Sequence, residues 1–130
     1  MRKFQDLTVW QKAHQLVLNL YQATKHFPRE ERYGLVNQMR RAAISIPANI
    51  VEGHKRRSKR EFAHFMSIAE GSLEELKYYI YLSGDLGYLS DTSDTSAKQL
   101  YRCAEEVGRM LYGFKMHIKE EMRNETVLPR

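Results

Sequence analysis

The chain has 130 residues, 42% hydrophobic and 28% charged, with 21 Lys and Arg against 16 Asp and Glu for a formal net charge of +5. That length suits one domain with a core of its own, and the single cysteine, Cys103, excludes an internal disulfide and fits a reducing compartment. No apolar run approaches the roughly 18 residues of a membrane span, and Met1-Arg2-Lys3-Phe4-Gln5-Asp6 lacks the apolar core of a secretory leader, so the expectation is a cytoplasmic protein, bacterial or phage-like, with no membrane contact.

Apolar spacing predicts four helices in one domain over 1–130, at about 8–26, 31–53, 59–86 and 94–123. Thr8 and Gln11 have capping-box spacing and open the first. Val9, Ala13, Leu16, Leu20, Ala23 and Phe27 then recur at steps of three and four, which keeps one stripe pointing inward. Pro28 ends the segment, because the residue before proline is pushed out of the helical region.

In the second helix Leu35, Met39, Ala42, Ile46 and Ile50 form the stripe. Pro47 removes a backbone bond to the Ala43 carbonyl, and because the apolar period continues through Ile50 a kink is expected there, with Ser45 bonding back to a nearby carbonyl. Ser58 and Glu61 form the next capping box. Phe62, Met66, Ala69, Leu73, Leu76 and Ile80 make the third stripe, and Gly84 or Gly87 ends it. Gly71 lies inside this helix at a cost of about 1 kcal/mol relative to alanine unless close packing requires it. Ser90 to Ser96 reads as a loop and cap. Leu100, Ala104, Val107, Leu111, Phe114 and Ile118 form the fourth stripe, with fraying after Arg123. The expected fold is all-α, an antiparallel up-down-up-down four-helix bundle.

The apolar surface exceeds what one bundle needs. Trp10, Val17 and Tyr21 lie beyond the first stripe; Phe65, Ile68, Tyr78, Tyr79, Tyr81 and Leu82 beyond the third; Tyr101, Met110, Tyr112 and Met116 beyond the fourth. Aromatic residues and Met are enriched at protein contacts. A homo-oligomer is the expectation, and a wide core with tyrosine hydroxyls reaching water is the alternative.

Charge is concentrated in one place. His54-Lys55-Arg56-Arg57-Ser58-Lys59-Arg60 holds five cations in seven residues, and the window 40–60 holds seven cations against one acid, Glu52. The window therefore carries +6, and the rest of the chain about −1. Local basicity of this kind fits a polyanion. A loop and a helix N-terminus add backbone amides, and arginine adds bidentate geometry toward phosphate. With no aromatic residue inside the run, backbone contact without base readout is expected. The candidate contacts are Arg40, Arg41, Lys55, Arg56, Arg57, Lys59 and Arg60. Arg40 and Arg41 stand about four helical turns from Lys55, so whether they join the others depends on the fold or on neighbouring subunits.

Other chemistries find little support. Glu61-x-x-His64 has di-iron spacing but no second copy exists, and His64 falls off the apolar stripe. There is no phosphate-binding Gly-Lys-Ser/Thr loop and no Gly-x-Ser-x-Gly elbow. Glu74-Glu75 and Glu120-Glu121 are neighbours that point about 100° apart on a helix. Cys103 reads as a small buried core residue. No enzyme activity, no metal and no cofactor are expected.

Several segments match a known pattern: Phe4-x-Asp6-Leu7-x-Val9-Trp10-Gln11-Lys12-Ala13, then Phe27-Pro28 and Tyr33-Gly34-Leu35. The run Gln38-x-Arg40-Arg41-Ala42-Ala43-x-Ser45-Ile46-Pro47-Ala48-Asn49-Ile50-x-Glu52-Gly53 is the most specific; Ile68-Ala69-x-Gly71-Ser72-Leu73-x-Glu75-Leu76 and Leu86-Gly87-Tyr88 follow. Over about residues 4–122 the chain resembles the four-helix-bundle family first noticed as products of intervening sequences in 23S ribosomal RNA genes. Relatives include the accessory variability determinants of diversity-generating retroelements. Val51 stands where family members carry alanine. The resemblance implies a ring-like homopentamer that binds RNA or DNA, and it brings in a reverse transcriptase as partner. The functional expectation is a non-enzymatic, basic, nucleic-acid-binding accessory protein; the alternative is an interaction scaffold whose basic face docks an acidic protein.

Overall fold

The computed structural model describes residues 3–90 and 95–127. Four helices carry the fold: α1 (Thr8–Thr24), α2 (Leu35–Lys55), α3 (Lys59–Asp85) and α4 (Ala97–Val127), with single 3-10 turns at Phe4–Asp6 and Arg29–Glu31. No strand occurs among the described residues. The architecture is a four-helix bundle in which α2 packs most extensively on α3, α3 on α4, and α1 lies against α2 and α4. Met39 meets Ser83, Ser45 meets Ser72, and Gly53 approaches Phe62 and Phe65, so α2 and α3 pass each other in opposite directions.

The inward stripes account for the core. All six residues of the first stripe are buried, Phe27 just beyond the end of α1; Met39, Ala42, Ile46 and Ile50 are buried on α2, and Leu35 is half-buried. On α3 and α4 the stripes are buried apart from Phe62 and Phe114, whose rings meet edge to face at 5.4 Å near one end of the bundle. Trp10, Val17 and Phe65 are half-buried against the same core, and so is Cys103, which is not the fully buried residue expected.

Helix ends show where local rules held and where tertiary contacts overrode them. Thr8 begins α1, but no side chain caps it; Gln11 Nε2 donates instead to the Gln5 carbonyl at 2.8 Å, because the preceding 3-10 turn brings that carbonyl within reach. The expected Thr8–Gln11 capping box is absent. The second helix starts at Leu35 and not at Glu31, since the tight turn Arg29–Glu31 and the non-helical backbone at Gly34 (φ −108, ψ −105) come between. Ser58 Oγ does accept from the Glu61 amide at 3.0 Å. Gly87, at φ 77, closes α3: the Tyr88 amide reaches the Ser83 carbonyl at 3.0 Å and the Gly87 amide the Gly84 carbonyl at 3.0 Å. That pair of bonds needs a left-handed residue, which glycine adopts without penalty.

The Ser90–Ser96 loop and the expected helix start at residue 94 fall partly on 91–94, outside the described residues. Ser96 Oγ accepts from the Gln99 amide at 3.1 Å and caps α4, which then extends past Arg123 to Val127.

The Ser45–Gly53 segment explains why α2 and α3 fit so closely. The helix continues through the buried Pro47 to Lys55. Ser45 Oγ does not donate back to a carbonyl of its own helix. It meets Ser72 Oγ across the interface at 2.8 Å, and Asn49 Nδ2 donates to Ser45 Oγ at 2.9 Å and to the Ser45 carbonyl at 2.7 Å. One turn further on, a Cβ at Gly53 would sit 2.7 Å from Phe62 Cδ1 and 2.9 Å from Phe65 Cβ. Only glycine permits this approach, and it sets where the basic corner between the two helices lies.

Candidate nucleic-acid interface

The corner consists of the end of α2, the three-residue connection 56–58 and the first turn of α3. Lys55, Arg56, Arg57 and Arg60 are exposed and Lys59 is half-buried. Lys55, Arg56 and Arg57 line one shallow hollow of about 420 Å³ together with Glu52 and Glu61.

The carboxylates change the electrostatics expected from sequence. Arg56 pairs with Glu52 at 3.3 Å and lies over the Phe65 ring, 4.9 Å from its centroid. Lys59 pairs with Glu125, which α4 brings in from 66 positions along the chain. This hydrogen bond, against a smaller opposing effect of burial, holds the Lys59 ammonium above its usual pKa. The expectation of a cation cluster without acidic neighbours is therefore corrected: two of its five members have carboxylate partners, and Glu61 borders the hollow. Ser58 also takes the Glu61 amide, so the α3 N-terminus has less to offer a phosphate. Lys55, Arg57 and Arg60 make no ion pair among the described residues.

Arg40 and Arg41 do not join this corner within one chain. At 1.5 Å per residue, Arg40 stands about 22 Å from Lys55 along α2. Arg40 is half-buried and its guanidinium is turned toward α1: Nε donates to Thr24 Oγ1 at 3.0 Å, Nη2 to the Tyr21 carbonyl at 3.4 Å, and Cζ lies 4.3 Å from the centre of the Tyr21 ring. Those bonds tie the start of α2 to the last turn of α1. Arg41 is exposed on the flank between the two ends.

Around Arg40 the fold gathers Lys25, Arg29 and Arg32, which the sequence reading did not single out. Their spacing of four and three was a signal, but Glu30 and Glu31 sit between them and mask the local excess of charge.

Among the described residues no three His, Cys, Asp or Glu side chains gather as metal ligands. His64 is exposed and meets the Phe65 ring edge on at 5.9 Å. No helix among the described residues is long and apolar enough to cross a membrane.

With this geometry in view, comparison with known proteins is informative about lineage. Residues 5–113 match the family described as 23S rRNA-intervening sequence protein. The chain belongs to that family. Its fold is similar to a crystal structure from Bacteroides thetaiotaomicron described as a protein with unknown function from the S23 ribosomal protein family, at 20% identity and a TM-score of 0.75, over 88% of this chain and 99% of that one. At that identity the likeness speaks for the fold. No curated protein matches. Within this intervening-sequence family member, the Ser45–Gly53 segment that carried the resemblance is the one that forms the α2–α3 contact and aims the basic corner.

Proposed function

We propose that this intervening-sequence family protein is a non-enzymatic, cytoplasmic accessory protein that binds the phosphate backbone of RNA or DNA with little sequence preference. The observation that carries the reading is the trio Lys55, Arg57 and Arg60: three exposed cations within six residues, without ion-pair partners among the described residues, on a helix junction whose position Gly53 sets. Arg56 and Lys59 contribute after exchanging a carboxylate for a phosphate, an exchange that costs little because exposed ion pairs are weak. Arg40 is excluded from the contact set at this corner.

Self-association is part of the proposal. Ile68, Tyr78 and Tyr81 are 39%, 60% and 63% exposed along the outer surface of α3, apolar side chains that contact with a second copy would cover. Such assembly multiplies the basic corners available to one strand. The family resemblance adds the pentameric ring and the reverse transcriptase partner.

The test is anisotropy titration of labelled RNA and duplex DNA carrying 5′-hydroxyl ends. Arg57→Glu with Arg60→Glu should weaken binding at least about tenfold, because two attractions become repulsions at the phosphates. Arg40→Gln should leave that affinity unchanged. Equal affinities for parent and double reversal would refute the assignment. Capture of an acidic polypeptide by a parent protein with no measurable nucleic-acid affinity would favour the scaffold.

A further inference from the structure

At the opposite end of α2, the Phe27-Pro28 bend and the 3-10 turn Arg29–Glu31 fold back over the start of α2 and leave a cleft of about 430 Å³. Four cations line it, Lys25, Arg29, Arg32 and Arg40, together with Asn37, and no carboxylate is among the lining residues. We propose that this cleft binds a phosphomonoester, the terminal phosphate of a nucleotide or of a nucleic-acid strand end.

The arrangement follows from the turn. In 3-10 geometry residues three apart eclipse one another, so Arg29 and Arg32 fall on the same side. The intervening acids are directed elsewhere: Glu31 accepts the Tyr88 hydroxyl at 2.9 Å and meets the Leu35 amide at 3.5 Å, and Glu30 is not in the lining. Arg40 supplies a fixed point. Two of its five N–H groups are held by Thr24 Oγ1 and the Tyr21 carbonyl, which orients the guanidinium without using up its donors. Lys25, Arg29 and Arg32 are exposed at the rim and can close on an anion.

Charge selects the ligand. A phosphomonoester carries about −1.5 to −2 at neutral pH, against a single charge on each internal phosphodiester, and convergent arginines suit its bidentate oxygens. Phe27 and Pro28 line the cleft beside the cations, apolar surface against which a nucleoside could rest. The α2–α3 corner differs on each point: it is shallow, two carboxylates line its hollow, and it suits a strand passing over it. The cleft stands independently of the reading given to that corner.

Calorimetric titration at physiological salt tests the proposal, with AMP, adenosine, and short RNAs bearing 5′-phosphate or 5′-hydroxyl ends. AMP should bind saturably and adenosine should not. Arg29→Ala with Arg32→Ala, both exposed and so not expected to disturb the fold, should weaken AMP binding at least about tenfold; Arg57→Ala with Arg60→Ala should leave it unchanged. Preference for the 5′-phosphorylated RNA would assign the site to strand ends, and AMP binding without that preference would assign it to free nucleotides; both support the phosphomonoester site. Adenosine binding as tightly as AMP, no saturation by about 10 mM, or equal losses from the two arginine pairs would overturn it. Because the corner is probed with 5′-hydroxyl nucleic acid, either site can fail while the other stands.

Discussion

Replacing Gly53 by alanine places a methyl group 2.7 Å from Phe62 Cδ1 and 2.9 Å from Phe65 Cβ, where carbon atoms normally rest 3.5–4.0 Å apart. The Phe62 ring has little room to retreat, with Phe114 edge-on at 5.4 Å and His54 at 6.1 Å. Phe65 Cβ moves only with the α3 backbone, so α3 must shift outward by several tenths of an ångström or more. Overpacking of this kind costs about 1–3 kcal/mol, and alanine's better helix propensity returns up to about 1 kcal/mol. The net expectation is a loss of about 1–2 kcal/mol, or roughly 3–8 °C in melting temperature, together with weaker binding at the displaced corner. Gly71→Ala is the matched control: Gly71 is exposed inside α3 and a Cβ there meets nothing within 4 Å. It should gain about 0.5–1 kcal/mol. Urea unfolding of both variants decides the matter. If Gly53→Ala proves as stable as its parent, or gains stability as Gly71→Ala does, the close approach of α2 and α3 is wrong.

Two further outcomes follow from the same geometry. In the Ser45–Ser72–Asn49 network, a double-mutant cycle with Ser45→Ala and Ser72→Ala should return a coupling of about 0.5–1.5 kcal/mol in urea unfolding, and additive losses would show that the two hydroxyls do not meet. Stability should also fall above about pH 10. Tyr88 is held above the usual tyrosine pKa chiefly by its hydrogen bond to Glu31, Tyr79 chiefly by burial, and Lys59 chiefly by its bond to Glu125. Each folded-state pKa lies above its unfolded value near 10, so the stabilisation is complete below that pH and is lost as pH rises through the raised pKa. Tyr88→Phe should flatten this alkaline decline, and an unchanged decline would remove Tyr88 as a contributor.

What could be read from the chain and what could not divides along the distance between partners. Stripes such as Val9–Ala13–Leu16–Leu20 report burial because their partners repeat every turn, and Ser58–Glu61 is a cap between neighbours in sequence. Arg40 stands apart from the corner because Thr24 and Tyr21, 16 and 19 positions upstream, hold its guanidinium, and nothing in the local charge pattern signals that. Lys59 looked uncompensated because Glu125 reaches it only through the packing of α4 on α3. The cleft cations escaped notice for the opposite reason: Glu30 and Glu31 neutralise Arg29 and Arg32 in a running charge count, and the tight turn then separates the two signs in space. Gly53 was visible as part of the family pattern, but its purpose is legible only once Phe62 and Phe65 stand opposite it.

The salt dependence of nucleic-acid binding tests the central claim most directly. With Lys55, Arg57 and Arg60 each neutralising a phosphate, the logarithm of the association constant for 5′-hydroxyl duplex DNA should fall against the logarithm of salt concentration with a slope of about −2.7 per engaged subunit from these three alone, steeper where Arg56 and Lys59 also engage. Arg57→Glu with Arg60→Glu should remove most of that slope. A flat line for the parent protein, or a slope that survives the double reversal intact, would contradict the assignment of these cations to phosphate contact.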